Sequence, residues 1–366
     1  MPGTAPSLES KFCRSRQETL RRYLSENDLD GAVFFDRHYI YSLTGYWHEQ
    51  PLTPTALLLE TDGGATIVTH FEDPVAPAAD KVVPYVPNHL FTLKPNLCGC
   101  VTEVLNPLLA GLKIVGTEQQ TPAALIEGPV CRDISEDYQY LRRHKDDDEV
   151  AALEYTIRSA DRAYTEAKRL IEPGILEVEV MASMLEEATY SAGEVLSGWG
   201  QDYACGVPGG FARKRKIEES ELYVLDVGVG IRGYRSDLCR TFSVAKNPTD
   251  EQYAAWEKVV EVMEMGKGMI RPGQSCKEMF EAVTEALDGW NGFSFFHHAG
   301  HGIGLDAHEV PRINSGWDDT FEVGDVVAFE PGLYGGALHG GIRLENNYLV
   351  TEDGNRQLSH FPLDLV

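Results

Sequence analysis

The chain has 366 residues, with 32 Lys plus Arg against 57 Asp plus Glu, a formal charge of −25, and 43% apolar residues. That is the composition of a folded protein, long enough for two domains of roughly 150 residues each. The acid excess excludes a nucleic-acid binder, which needs clustered cations on one face. No apolar run approaches the ~18 residues of a membrane-spanning helix, so no membrane partner is expected. Met1-Pro2-Gly3-Thr4 lacks the basic-then-apolar layout of a signal peptide, which makes a cytoplasmic location the expectation. The seven cysteines are scattered and odd in number, and free thiols are expected.

In chain order, residues 1–140 read as a small α/β domain. A helix is expected over 10–27, a buried strand at Gly31–Phe35, and a hairpin of Leu57–Leu59 with Ala65–Val68 about the turn Asp62-Gly63-Gly64. A further strand is expected at Lys113–Gly116. The charge run Arg142–Glu149 reads as a solvated linker entering the acid-rich first turn of a helix. It opens a second domain, 141–366. There Val150, Leu153, Ile157, Ala160, Tyr164, Ala167 and Ile171 recur at helical spacing, up to Pro173-Gly174. A second helix follows at 176–192. The run Arg213-Lys214-Arg215-Lys216, with Glu218, Glu219 and Glu221 directly after it, reads as a solvated loop. Thr249-x-x-Gln252 and Ser275-x-x-Glu278 match capping boxes and start two more helices. The β segments 222–229, 234–244, 326–334 and 341–351 complete two rounds of helix, helix, hairpin, which suggests an internal duplication.

These hairpins carry the chemistry. A turn between Gly230 and Gly233, centred between residues 231 and 232, would set Asp226 directly opposite Asp237. Around Gly335–Gly341, Glu330 and Glu345 should face one another in the same way. Two pairs of like charges on apolar strands repel, so a cation between them is expected. Hard carboxylate oxygens take divalent ions, and an added imidazole moves the preference toward Mn, Fe, Co or Zn. The segment His297-His298-Ala299-Gly300-His301 through His308 holds four of the chain's eleven histidines. His301, flanked by glycines, is the best ligand candidate; His297 and His308 remain as proton donors or as groups around the ligands.

This pattern resembles the pita-bread metallohydrolases: methionine aminopeptidase, prolidase, aminopeptidase P and creatinase. The blocks Leu225-Asp226-Val227-Gly228, Tyr234-Arg235-Ser236-Asp237, Gly300-His301-Gly302-Ile303-Gly304, Glu330-Pro331-Gly332 and Arg343-Leu344-Glu345 stand in family order. The N-terminal Tyr39–Tyr46 segment looks like that of the creatinase/prolidase domain. The resemblance implies an α/β chain: a small α/β N-terminal domain, then a pita-bread α+β domain with duplicated helix-helix-hairpin units about a pseudo-twofold. It implies a dinuclear site of two divalent transition-metal ions, Mn foremost, with Co, Zn or Fe as alternatives. The ligands would be Asp226, Asp237, His301, Glu330 and Glu345, with Glu330 also moving a proton. His297 and His308 would contact substrate or intermediate, and Arg343 the substrate or the ligands. It also implies a homodimer.

The implied activity is hydrolysis of an amide C–N bond by metal-activated water, on an Xaa-Pro dipeptide or peptide. One departure stands out. Xaa-Pro peptidases of this family carry a histidine where this chain, within Gln201–Gly210, has Gly209. A non-peptide substrate, as in ectoine hydrolase, creatinase or dimethylsulfoniopropionate lyase, is therefore the alternative, and a non-catalytic binding module a third. The intact ligand set speaks against a creatinase-type, metal-free mechanism, and Gly228 against the lyase branch. Trp199, Tyr203 and Phe211 surround the altered segment and offer an aromatic wall for substrate, Tyr203 foremost.

Overall fold

The computed structural model describes residues 3–48, 53–70, 75–87, 92, 97–200 and 202–366. The chain forms two compact units, one of Ser7–Arg142 and one of Arg143–Val366 that includes the residues preceding Ser7.

In the first unit, strand Gly31–Phe34 sits inside a six-stranded mixed sheet. It runs antiparallel to Ala56–Glu60 and parallel to Ile114–Thr117. The Leu57–Leu59/Ala65–Val68 hairpin forms with Leu57 opposite Ile67. Alternation sorts the apolar residues onto two faces. Phe34, Leu57, Leu59 and Ile67 pack with Leu20 and Leu24 of helix Ser10–Glu26, while Val33, Leu58 and Val68 pack with Val101 and Leu105 of helix Cys98–Leu105.

The second unit opens with helix Asp147–Leu170, whose stripe from Val150 to Ala167 is buried as the spacing predicts. The Glu149 carboxylate accepts the Asp146 N–H at 3.0 Å and fixes its start. Residues ahead of it correct the expectation of a solvated linker. Arg143 is buried and bonds Asp325 through Nε at 2.7 Å, and Lys145 meets buried Glu309 at 2.7 Å. The basic run is the solvated loop expected, with Lys214 and Lys216 exposed, although Arg213 also folds back onto buried Glu177 and Arg215 onto Glu221. Nearby acids recruit cations that local sequence assigns to solvent. Helices Glu177–Ala192, Asp250–Met269 and Cys276–Leu287 follow. Thr249 and Gln252 cap reciprocally, whereas Ser275 only accepts the Glu278 N–H.

The four long β segments are each broken in two. Leu222–Asp226 pairs with Cys239–Ser243, and Val229–Ile231 pairs with Tyr234–Arg235 beyond the break. Likewise Val326–Phe329 pairs with Asn346–Thr351, and Gly332–Gly335 with Gly340–Arg343. Both halves are thus two helices followed by an interrupted hairpin, and the interruptions fall at the acids.

Candidate metal centre

Asp226 stands opposite Cys239, which corrects the expected Asp226–Asp237 pairing. Arg232 (φ 50°) and Gly233 (φ 93°) form the two-residue turn, because a tight hairpin turn needs left-handed backbone at both positions. That moves the turn centre by one residue and the partner by two. A two-residue shift preserves the face, so Asp237 becomes the diagonal neighbour of Asp226. The other pair follows expectation: Phe329–Asn346 and Gly332–Arg343 bracket Glu330 and Glu345 and hold them in opposition.

Neighbours fix these acids from behind. Asn347 both accepts from the Asp237 N–H and donates to its carbonyl. The Tyr164 hydroxyl donates to the carbonyls of Leu225 and Leu238, one beside each aspartate. Buried Arg240 donates to the carbonyls of Cys239 and Glu345. His301 arrives on strand Gly300–Gly302, threaded between Glu309–Ile313 and Val326–Phe329. Only glycine fits at 302, where a Cβ would lie 2.1 Å from the Val310 carbonyl oxygen.

The ligating atoms of Asp237, His301 and Glu345 all lie within 4.8 Å of one another and can hold a metal ion. His301 Nδ1 lies 3.0 Å from the Gly302 carbonyl oxygen. An oxygen can only accept, so Nδ1 carries the proton and the Nε2 lone pair faces inward. It meets Glu330 Oε1 at 3.3 Å and Asp237 Oδ2 at 3.8 Å. A lone pair aimed at two carboxylates suits a cation seated between them. Glu345 Oε2 is buried with no hydrogen-bond partner. Burial, and then mutual repulsion, raises the pKa values of Asp226 and Glu345 well above the carboxylate range and that of Asp237 to about 7. The donor set therefore fits divalent metal.

Glu330 differs. Burial works against its charge, yet the hydrogen bond with His298 (2.8 Å) and the closeness of the His301 ring hold it well below the usual range. His297 is pushed down to about 4 by burial. Its Nδ1–H donates to the His298 carbonyl at 2.7 Å, leaving Nε2 to accept from the Tyr334 hydroxyl at 2.8 Å. So engaged, His297 stands as a group beside the ligands, the second of the two roles expected of it. His308 is also lowered to about 4, by burial and the adjacent imidazoles. It lines a cavity of about 200 Å³ together with Trp199, Asp202, Asp226 and Asp237. Tyr203 does not reach this cavity: it is 1% exposed and stacks behind Trp199. Phe211 is 76% exposed.

Arg343 meets Asp226 at 2.8 Å and also pairs with Asp202. Asp202, His298 and Tyr334 escaped the sequence reading. Asp202 left one signal, the departure at Gly209, since a Cβ there would lie 2.5 Å from Asp202 Oδ2. The aspartate fills the space that glycine leaves. Gln201, also in that stretch, lies outside the described residues.

Interrupted hairpins converging on acids and one inward imidazole define a candidate metal centre. Residues 151–352 match metallopeptidase family M24, and residues 16–128 match the creatinase/prolidase N-terminal domain. The chain belongs to metallopeptidase family M24. An uncharacterized peptidase of Bacillus subtilis is 32% identical over 271 residues, 70% of this chain and 75% of the relative. The Xaa-Pro dipeptidase of Pyrococcus furiosus is 26% identical, over 96% of this chain and all of the relative. Among solved structures, the prolidase from Pyrococcus furiosus has a TM-score of 0.77 at 25% identity, covering 93% of this chain and 99% of that one. The Xaa-Pro dipeptidase from Bacillus anthracis has a TM-score of 0.80 at 24% identity, covering 97% and 99%, and bears on the fold alone.

Proposed function

We propose that the chain is an Xaa-Pro peptidase in which Asp226, Asp237, His301, Glu330 and Glu345 hold two divalent metal ions. The observation that carries this reading is the inward lone pair of His301 facing two carboxylates beside the unpartnered Glu345 oxygen. Four carboxylates with one imidazole suit Mn, with Co, Zn or Fe as substitutes. When bound, such ions supply an activated water at neutral pH and stabilise charge developing on the scissile carbonyl. The protein's own groups do the rest. Glu330, bonded to His298 and facing His301, stands where it can pass a proton. His308, neutral at the cavity, offers a hydrogen bond to substrate. The Tyr334–His297 pair fixes a polar wall. The relatives' names support the Xaa-Pro substrate class. A homodimer in the cytoplasm belongs to the same reading.

The test is metal analysis of purified protein, then turnover of Xaa-Pro dipeptides, longer Xaa-Pro peptides and matched Xaa-Ala controls. Between one and two transition-metal ions per chain and cleavage confined to Xaa-Pro bonds are expected. Metal-loaded protein that cleaves only the controls, or nothing, overturns the substrate class.

A further inference from the structure

The cavity beside the metal centre holds a cation that no part of the mechanism uses. Arg235 lines it with Trp199, Asp202, Asp237 and His308. It lies two residues before Asp237, so alternation puts both side chains on one face of the chain. Its backbone N–H is tied to the Gly304 carbonyl at 2.8 Å. Its Nε is buried without a hydrogen-bond partner, and its charge acts on neighbouring Asp237. Buried N–H donors are rarely left without an acceptor.

The arginine also has a prepared seat. Arg235 pairs across the strands with Gly230, and Gly230 with Gly198. The side chain crosses this glycine row and lies on Gly198, where a Cβ would come within 2.7 Å of Cζ. Arg343, the other guanidinium near the centre, is consumed: it pairs with Asp202 and Asp226 and also meets the Tyr334 hydroxyl and Cys239 Sγ. Those contacts occupy Asp202 and Asp226 as well, so neither competes for Arg235.

We propose that Arg235 is a specificity-determining residue that binds a carboxylate of the substrate. This rests on the Xaa-Pro reading and deepens it: the preferred substrate is anionic, through an acidic Xaa side chain or through a free C-terminal carboxylate. A planar guanidinium suits either, since it presents two parallel donors to two oxygens.

Two substrate pairs separate the sources: Glu-Pro against Gln-Pro for the side chain, and Ala-Pro against Ala-prolinamide for the terminus. In metal-loaded wild type, one pair should favour the acid by about tenfold or more in kcat/KM, carried by KM. Arg235→Gln should erase that ratio with kcat changed less than about threefold, and Arg235→Lys should restore part of it. Ratios near one in both pairs for wild type, or a ratio unmoved by Arg235→Gln, overturn the proposal while the peptidase reading stands. Calorimetry with glutamate against glutamine, and proline against prolinamide, reads binding without turnover. If no Xaa-Pro bond is cleaved yet an acid binds wild type at least tenfold more tightly than Arg235→Gln, the anion site stands and the Xaa-Pro reading falls. If no Xaa-Pro bond is cleaved and neither acid distinguishes the two proteins, both fall.

Discussion

Asp237 combines burial, repulsion and ligation in one side chain. In the metal-free protein burial comes first and Glu330 second in lifting it to about 7, against about 4 in an unfolded chain. Between those values the unfolded state has released a proton that the folded state keeps. Stability therefore falls as pH rises from about 4 to about 7, and is level beyond. Asp237→Asn removes the group that must ionise, so in chelator its melting temperature should gain on wild type across that window, by on the order of 5 °C. Melting curves at half-unit pH steps check this, and two parallel profiles would contradict it. The same variant should bind less metal, because a neutral amide oxygen replaces an anionic donor.

At the scale of elements, each break in a strand falls at or beside one of the four acids. The register about Glu330 and Glu345 was legible because the glycine-rich turn left no extra residue. The register about Asp226 was not, because local sequence does not say that Arg232 would adopt a left-handed conformation. The segment 202–210 offers a test of complementarity. Gly209→Ala should push Asp202 off Arg343, lowering the melting temperature by several degrees and activity about tenfold. Asp202→Gly should accommodate the new methyl, so the double variant should be more stable than the sum of the single effects predicts. A thermal-melt double-mutant cycle measures the coupling; strict additivity would mean the two positions do not compete for space.

Across the whole chain, −25 charges sit on a protein whose second unit gathers several of its acids into one centre. Removing metal leaves those acids unbalanced. Chelator-stripped protein should be less stable than metal-loaded protein by roughly 3 kcal/mol at a hundredfold excess over Kd, and so melt at a lower temperature. Trp199, Trp256, Trp290 and Trp317, four of the five tryptophans, lie in Arg143–Val366, so their fluorescence reports the melting of that unit. Re-addition of Mn should restore the transition. Equal melting with and without metal would mean that the ions do not bridge these hairpins.

The sequence alone determined what is periodic or local. Helix stripes, capping boxes, glycine turns and an ordered set of metal-type residues are written at short range, and they were enough to place the helices and the hairpins that carry the acids. Tertiary structure decided what depends on approach between distant segments. It placed Arg143 and Lys145 in buried ion pairs and brought the Tyr334 hydroxyl against His297 Nε2. It also spent Arg343 on Asp202 while leaving Arg235 unspent beside the cavity. Such partnerships follow from which charges a folded chain brings within a few ångströms, and residue order does not encode that distance.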